Sequence, residues 1–184
     1  NMLTAYYSRG CDSRKLFQGL KIATHPDFEK HLNQYNVIHL NMRDYLTESE
    51  NMKQLIQFVE DDLLDELQQE FSALRMPRRK TLVKVLEQAF AQYKIPFVFI
   101  IDEWDCIFRV HKSDAVSQKD YLDFLRNLLK DKSYIALAYM TGILPIKKYG
   151  EHSAINVFYE YSMTDASPIE KFTGFTEQEV RQLC

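Results

Sequence analysis

Asp102 and Glu103 stand directly behind the apolar run Phe97-Val-Phe-Ile-Ile101, with Asp105 two residues further on. Five apolar residues introduced by Pro96 are too short a run for a helix and read as a strand buried on both faces. Such strands lie at the centre of parallel sheets, and open α/β sheets bind their ligands beyond the strands' carboxyl ends. Two acids at that end have the pattern of a Walker B element: Asp102 holds Mg²⁺, directly or through water, and Glu103 orients an attacking water. A buried strand followed by an acidic turn is the plainer alternative. Thr141 is the second informative position, because it follows another apolar run, Ile135-Ala-Leu-Ala-Tyr-Met140. In a parallel sheet the two strand ends can lie side by side, where a hydroxyl can contact a γ-phosphate or the attacking water. Alone, such a threonine more often caps a strand end. The order and register with Asp102-Glu103 favour the sensor role.

Other chemistry is less well supplied. Asp102, Glu103 and Asp105 form an Asp-Glu-x-Asp, as in helicases, but no further helicase motif follows. As a metal-dependent nuclease site they would need more carboxylates and a lysine from a neighbouring strand. Arg78-Arg79-Lys80 reads as a solvated helix start rather than a nucleic-acid patch. Arg109 and Arg126 are either phosphate-contacting or ion-paired with the surrounding acids, and ion pairing is the expectation. Lys147 and Lys148, just past Thr141, are placed to meet an anion or a partner. His25, His31, His39, His111 and His152 show no metal-ligand spacing, and His39 reads as a strand residue. Cys106 lies beside the acids but has no adjacent base, so it reads as a packing residue.

These residues need elements to position them. A helix from the start to about Ser8 closes at Gly10, and a short helix opens at Pro26 with Phe28, Leu32 and Tyr35 on its apolar face. Residues 37–40 form a first strand, followed by a polar loop over 41–50. Met52, Leu55, Ile56, Val59, Leu63, Leu67, Phe71 and Leu74 recur at steps of three and four, a long amphipathic helix. Leu82, Val83, Leu86, Ala89, Phe90 and Tyr93 mark the next helix. A polar stretch from His111 to Lys119 leads into a helix with Tyr121, Leu125, Leu128 and Leu129 inside. Residues 135–140 form another buried strand, and Thr176-Glu-Gln-Glu179 is a capping box that starts a last helix. Strands alternating with helices predict a three-layer α/β fold, a parallel sheet flanked by helices.

Length predicts one domain, 1–184. A net charge of −3 gives no reason to expect strong attraction to nucleic acid or anionic membrane, although a local basic patch leaves nucleic acid open. No apolar run reaches membrane-spanning length, and three cysteines without a C-x-x-C spacing point to free thiols and a cytoplasmic setting. The first helix reads as already begun at Asn1 and the last as cut at Cys184, so the chain reads as an excised piece.

Ile101-Asp-Glu-Trp-Asp105-Cys-Ile-Phe-Arg109, Tyr121-Leu-Asp-Phe-Leu-Arg126, Ala138-Tyr-Met-Thr-Gly-Ile-Leu-Pro-Ile-Lys-Lys-Tyr-Gly150 and Gly174-Phe-Thr-Glu-Gln-Glu-Val180 together resemble the AAA-ATPase-like family. These are predicted bacterial P-loop ATPases, often followed by a domain similar to restriction-type nucleases. The resemblance implies a Mg²⁺-dependent ATPase core in the parent protein, with Asp102 on the metal, Glu103 on water and Thr141 as sensor. It also implies a Walker A loop, yet none of the five glycines stands in a G-x-x-x-x-G-K-[ST] pattern. The expectation is therefore a P-loop core lacking its first strand and Walker A. Such a piece would bind neither ATP nor Mg²⁺ tightly and would be inactive alone. The rival functions are a protein-interaction module on the same fold and a metal-dependent nuclease. The resemblance implies a strand order 5-1-4-3-2, in which 37–40, 97–101 and 135–140 are second, third and fourth and the segment around Lys171-Phe-Thr-Gly-Phe175 is a candidate fifth. Without the first strand, 135–140 exposes an apolar edge, from which self-association is expected.

Overall fold

The computed structural model describes residues 2–145, 158–162 and 177–183. The chain divides into two compact units, Asn1–Ile143 and Leu144–Cys184. In the first unit, strands β1 (Asn36–Asn41), β2 (Phe97–Asp102) and β3 (Ile135–Met140) form a parallel sheet in the order β1-β2-β3. This is the neighbour order expected for the second, third and fourth strands. The helices are α1 (Met2–Tyr7), α2 (Phe28–His31), α3 (Met42–Glu48), α4 (Met52–Glu70), α5 (Leu82–Tyr93), α6 (Cys106–Val110) and α7 (Ala115–Leu129). In the second unit, α8 (Glu177–Leu183) lies where the capping box places a helix, with Arg181 and Glu177 paired one turn apart at 2.5 Å. The candidate strand near 171–175 falls outside the described residues.

Every residue of β2 from Phe97 to Ile101 is at most 6% exposed, so both of its faces are covered. That requires packing layers above and below the sheet, as the unbroken apolar run predicts. On α4, Met52, Leu55, Val59, Leu63 and Leu67 are buried at spacings of three and four, and Asn51 starts the helix by accepting the Gln54 N–H at 3.0 Å. On α5, Leu82, Val85, Leu86 and Ala89 are buried, and Lys94 ends it in the left-handed region at φ 60°. Val85, rather than Val83, completes that face. At the N-terminal end, Tyr6, Phe17, Phe28 and Leu32 form a separate apolar cluster. Asn33 (φ 56°) ties α1 to it: its side-chain amide donates to the Ala5 and Ser8 carbonyls at 3.1 and 2.8 Å. These bonds satisfy carbonyls that the last turn of a helix leaves open.

Several expectations change. Residues 42–48 are helix α3, not loop, because Asn41 accepts the Arg43 N–H at 3.1 Å and Met42 is fully buried. Residues 106–110 are a short helix that the apolar-acidic pattern did not announce, and α7 begins inside the polar stretch, where Asp114 accepts the Ser117 N–H at 3.0 Å. Finally, β3 is not buried: Leu137 and Tyr139 are 37% and 44% exposed. It lies at the margin of the three-stranded sheet, where no further strand covers it among the described residues.

Candidate functional site

The carboxyl ends of the three strands meet in one row. Parallel pairing sets Asn41 beside Asp102, and Ile101 beside Met140, so Thr141 follows as the neighbour of Asp102 on the other side. Backbone bonds fasten this junction: the Thr141 N–H donates to the Ile101 carbonyl at 2.9 Å, and the Trp104 N–H to the Thr141 carbonyl at 3.1 Å. The Thr141 hydroxyl donates to Asp102 Oδ1, which also accepts the Glu103 N–H at 3.0 Å. The two strand ends expected side by side are thus in direct contact. Asp102 is exposed to solvent, whereas the five residues before it are buried. The buried strand fixes the backbone, and the carboxylate emerges at its end. One exposed carboxylate beside a hydroxyl is a set of hard oxygen donors. Mg²⁺ binds such sets through one or two carboxylates while keeping several waters.

Glu103 follows at φ 55°, a left-handed conformation that a residue with a side chain adopts at a cost. This turn lifts the chain off the sheet into α6. Its carboxylate accepts a hydrogen bond from Arg109 Nη2, and Arg109 Nε lies 3.2 Å from Asp105 Oδ2. The hydrogen bond to Glu103, followed by the charge of Asp105, raises the Arg109 pKa further above its ordinary value, so the guanidinium stays charged. Arg109 is therefore ion-paired with the neighbouring acids, as expected. Arg126 is likewise paired, with Asp123 at 2.9 Å.

Asp105 takes a part that its place in the acidic motif did not suggest. It is fully buried and accepts the Ile143 N–H at 3.2 Å, tying α6 to the chain just after Thr141. Gly142 makes this approach feasible. A Cβ there would stand 2.7 Å from Asp105 Oδ1 and 2.7 Å from the Trp104 ring. Trp104 is buried, tilted against Phe108, and its carbonyl accepts the hydroxyl of fully buried Tyr121 at 2.9 Å. Burial of Tyr121 raises its pKa well above the ordinary value, which keeps that hydroxyl a donor. Burial also pushes the Cys106 thiol up to about 11, so it remains protonated and unreactive at neutral pH, in line with a packing residue.

The three acids of the motif thus face different surroundings: Asp102 meets Thr141 and solvent, Glu103 meets Arg109, and Asp105 is enclosed. Among the described residues no three His, Cys, Asp or Glu side chains converge on a common metal position. Arg78, Arg79 and Lys80 are exposed ahead of α5, and His39 is an exposed residue of β1. Lys147, Lys148, His152 and Cys184 fall outside the described residues. Asn41, at the end of β1, is the site-edge residue that sequence reasoning missed; an Asn just before Met42 and Leu46, spaced by four, was the available signal of a capped helix. Among the described residues, no helix is long and apolar enough to cross a membrane.

Comparison with curated proteins and with solved structures gives no match. The family model described as Predicted AAA-ATPase matches residues 1–150, which include all three strands, both acids, Thr141 and Arg109. The chain belongs to the AAA-ATPase-like family.

Proposed function

We propose that residues around the β2 and β3 ends are the catalytic half of a Mg²⁺-dependent ATP-hydrolysing site. The reading rests above all on one observation: the Thr141 hydroxyl and the Asp102 carboxylate, 39 residues apart in sequence, are hydrogen-bonded at the carboxyl edge of a parallel sheet. Family membership supports it. Asp102 is the carboxylate that holds the metal, because it is exposed and its position is set by the buried strand behind it. Bound Mg²⁺ would bridge and neutralise phosphate oxygens. Glu103 orients a water and takes up its proton. Thr141 fixes the Asp102 rotamer from the next strand and offers a hydroxyl at the edge where a terminal phosphate would lie. The amides and lysine of a phosphate-cradling loop are the other half of such a site, and the sequence Asn1 to Cys184 contains no G-x-x-x-x-G-K-[ST] pattern to supply them. On this reading the 184 residues do not hydrolyse ATP by themselves.

Substitution in the full-length protein tests the roles separately. Glu103→Gln keeps ATP binding and lowers turnover by roughly 10²–10⁴-fold, because an amide can orient water but cannot accept its proton. Asp102→Asn instead weakens Mg²⁺-dependent nucleotide binding, measured by calorimetry with and without the metal. Equal turnover in wild type and Glu103→Gln removes Glu103 from the mechanism.

A further inference from the structure

Glu103 and Asp105 are joined by one side chain, and the two ends of that link differ. At one end Arg109 Nε sits against Asp105, which is fully buried and also holds the Ile143 N–H. At the other end Arg109 Nη2 donates to Glu103, whose side chain is 35% exposed. Breaking the buried end would draw a guanidinium away from an enclosed carboxylate, which is costly. Breaking the half-exposed end costs little, since water solvates both partners as they separate. Arg109 is therefore anchored on Asp105 and releasable from Glu103.

We propose that Arg109 is a latch that withholds Glu103 from water in the resting state and lets it go without leaving its own anchor. The inference rests on the reading of Glu103 as the water-polarising group. The Glu103 oxygen that accepts from Arg109 Nη2 is taken up by the guanidinium and is not free to accept from a water, and the paired cation offsets its charge. Release frees that oxygen to meet a water and leaves a second uncompensated carboxylate next to Asp102 in the chain. The left-handed backbone at Glu103 sets the direction of the side chain at its root, so the swing is confined to side-chain torsions. The anchor also reaches the other strand: Asp105 binds the backbone two residues beyond Thr141, so a shift of the chain after β3 is felt at the arginine. The fork of a guanidinium is required for this arrangement. A lysine offers a single ammonium and can serve Asp105 or Glu103, but not both in the same geometry.

Mn²⁺ alone, titrated by electron paramagnetic resonance into the 184-residue chain, reads the latch without nucleotide. Arg109→Lys, which keeps a cation for buried Asp105, is expected to tighten Mn²⁺ binding several-fold by freeing the Glu103 charge. Arg109→Gln is expected to tighten it further wherever its melting curve shows a folded protein. Adding Glu103→Gln to either variant returns the affinity to the wild-type level. In the full-length protein Arg109→Lys raises kcat with KM for ATP unchanged. Wild-type Mn²⁺ affinity in Arg109→Lys, or a lowered kcat with no gain in affinity, overturns the latch. Asp102→Asn separates this from the functional reading: if it binds Mn²⁺ as well as wild type, the metal assignment fails whatever Arg109 does.

Discussion

Strands β2 and β3 are both six residues long, both rich in apolar side chains and hydrogen-bonded to each other, yet they live in different environments. Phe97 to Ile101 are sealed on both faces, while Leu137 and Tyr139 of β3 face solvent. Composition is enough to make each a strand; the place in the sheet decides which is buried. The site draws one group from each: Asp102 extends from a strand that cannot move without breaking the core, and Thr141 from one that meets no further strand among the described residues. The hydroxyl-to-carboxylate bond therefore joins a rigid element to a less constrained one. A change at the β3 end can register at the Asp102 carboxylate through that bond, and at Glu103 through Ile143, Asp105 and Arg109.

The largest effect expected from this contrast is on stability. Ile101→Ala removes a fully buried side chain from the central strand and is expected to cost about 2–5 kcal/mol, the usual range for such truncations in a packed core. Leu137→Ala, an equally apolar change in the neighbouring strand, is expected to cost less than about 1 kcal/mol, as partly exposed positions do. Urea unfolding of the two variants measures the difference. Similar losses would mean that β3 is enclosed in solution and that the contrast fails.

Gly142→Ala tests the junction between the two strands. The new methyl would sit 2.7 Å from both the Trp104 ring and the Asp105 carboxylate, so the ring or the turn must shift. Overpacking of this kind costs roughly 1–3 kcal/mol. Trp104 is the single tryptophan, so its emission reports the shift directly, with a red displacement as the ring loses its enclosure. An unchanged spectrum and midpoint would show that the turn after β3 is free to yield, and that Asp105 does not bind it to α6.

The sheet was largely legible because its signals are local. Pro96 and five apolar residues define β2, and regular spacing defines α4 and α5. The short helices were not. In α3, Met42 and Leu46 give a single turn of periodicity, too little to outweigh the polar residues around them, and Asn41 acts as a cap only once Met42 has a core to enter. Asp102 and Thr141 could be paired by strand order alone, since register across a parallel sheet follows from where each strand ends. The fate of Asp105 could not. Its burial depends on an amide 38 residues away and on the absence of a Cβ at Gly142, both long-range conditions that a run of acids does not reveal. The burial of β3 was overestimated for a related reason, because an apolar run reports what a strand can bury and not what is present to cover it.

The smallest effect on stability, and the sharpest test of what the open strand does, comes from charging it. We expect the β3 margin to promote self-association, because a strand beside which no further strand lies among the described residues, with Leu137 and Tyr139 exposed, offers both hydrogen-bonding groups and apolar surface to another strand. Lysine at a sheet edge blunts such pairing, since joining two edges would bring like charges together and strip them of water. Leu137→Lys with Tyr139→Lys is therefore expected to leave the unfolding midpoint nearly unchanged, since both positions are solvated, while shifting the mass seen by light scattering toward the monomer. The same pair of substitutions leaves the bond between Thr141 and Asp102 intact, so Mn²⁺ affinity should stay at the wild-type level. A wild-type chain that remains monomeric at high concentration would show the edge to be inert. A double variant that loses Mn²⁺ affinity while staying folded would show instead that the exposed face of β3 acts on the site through its strand end.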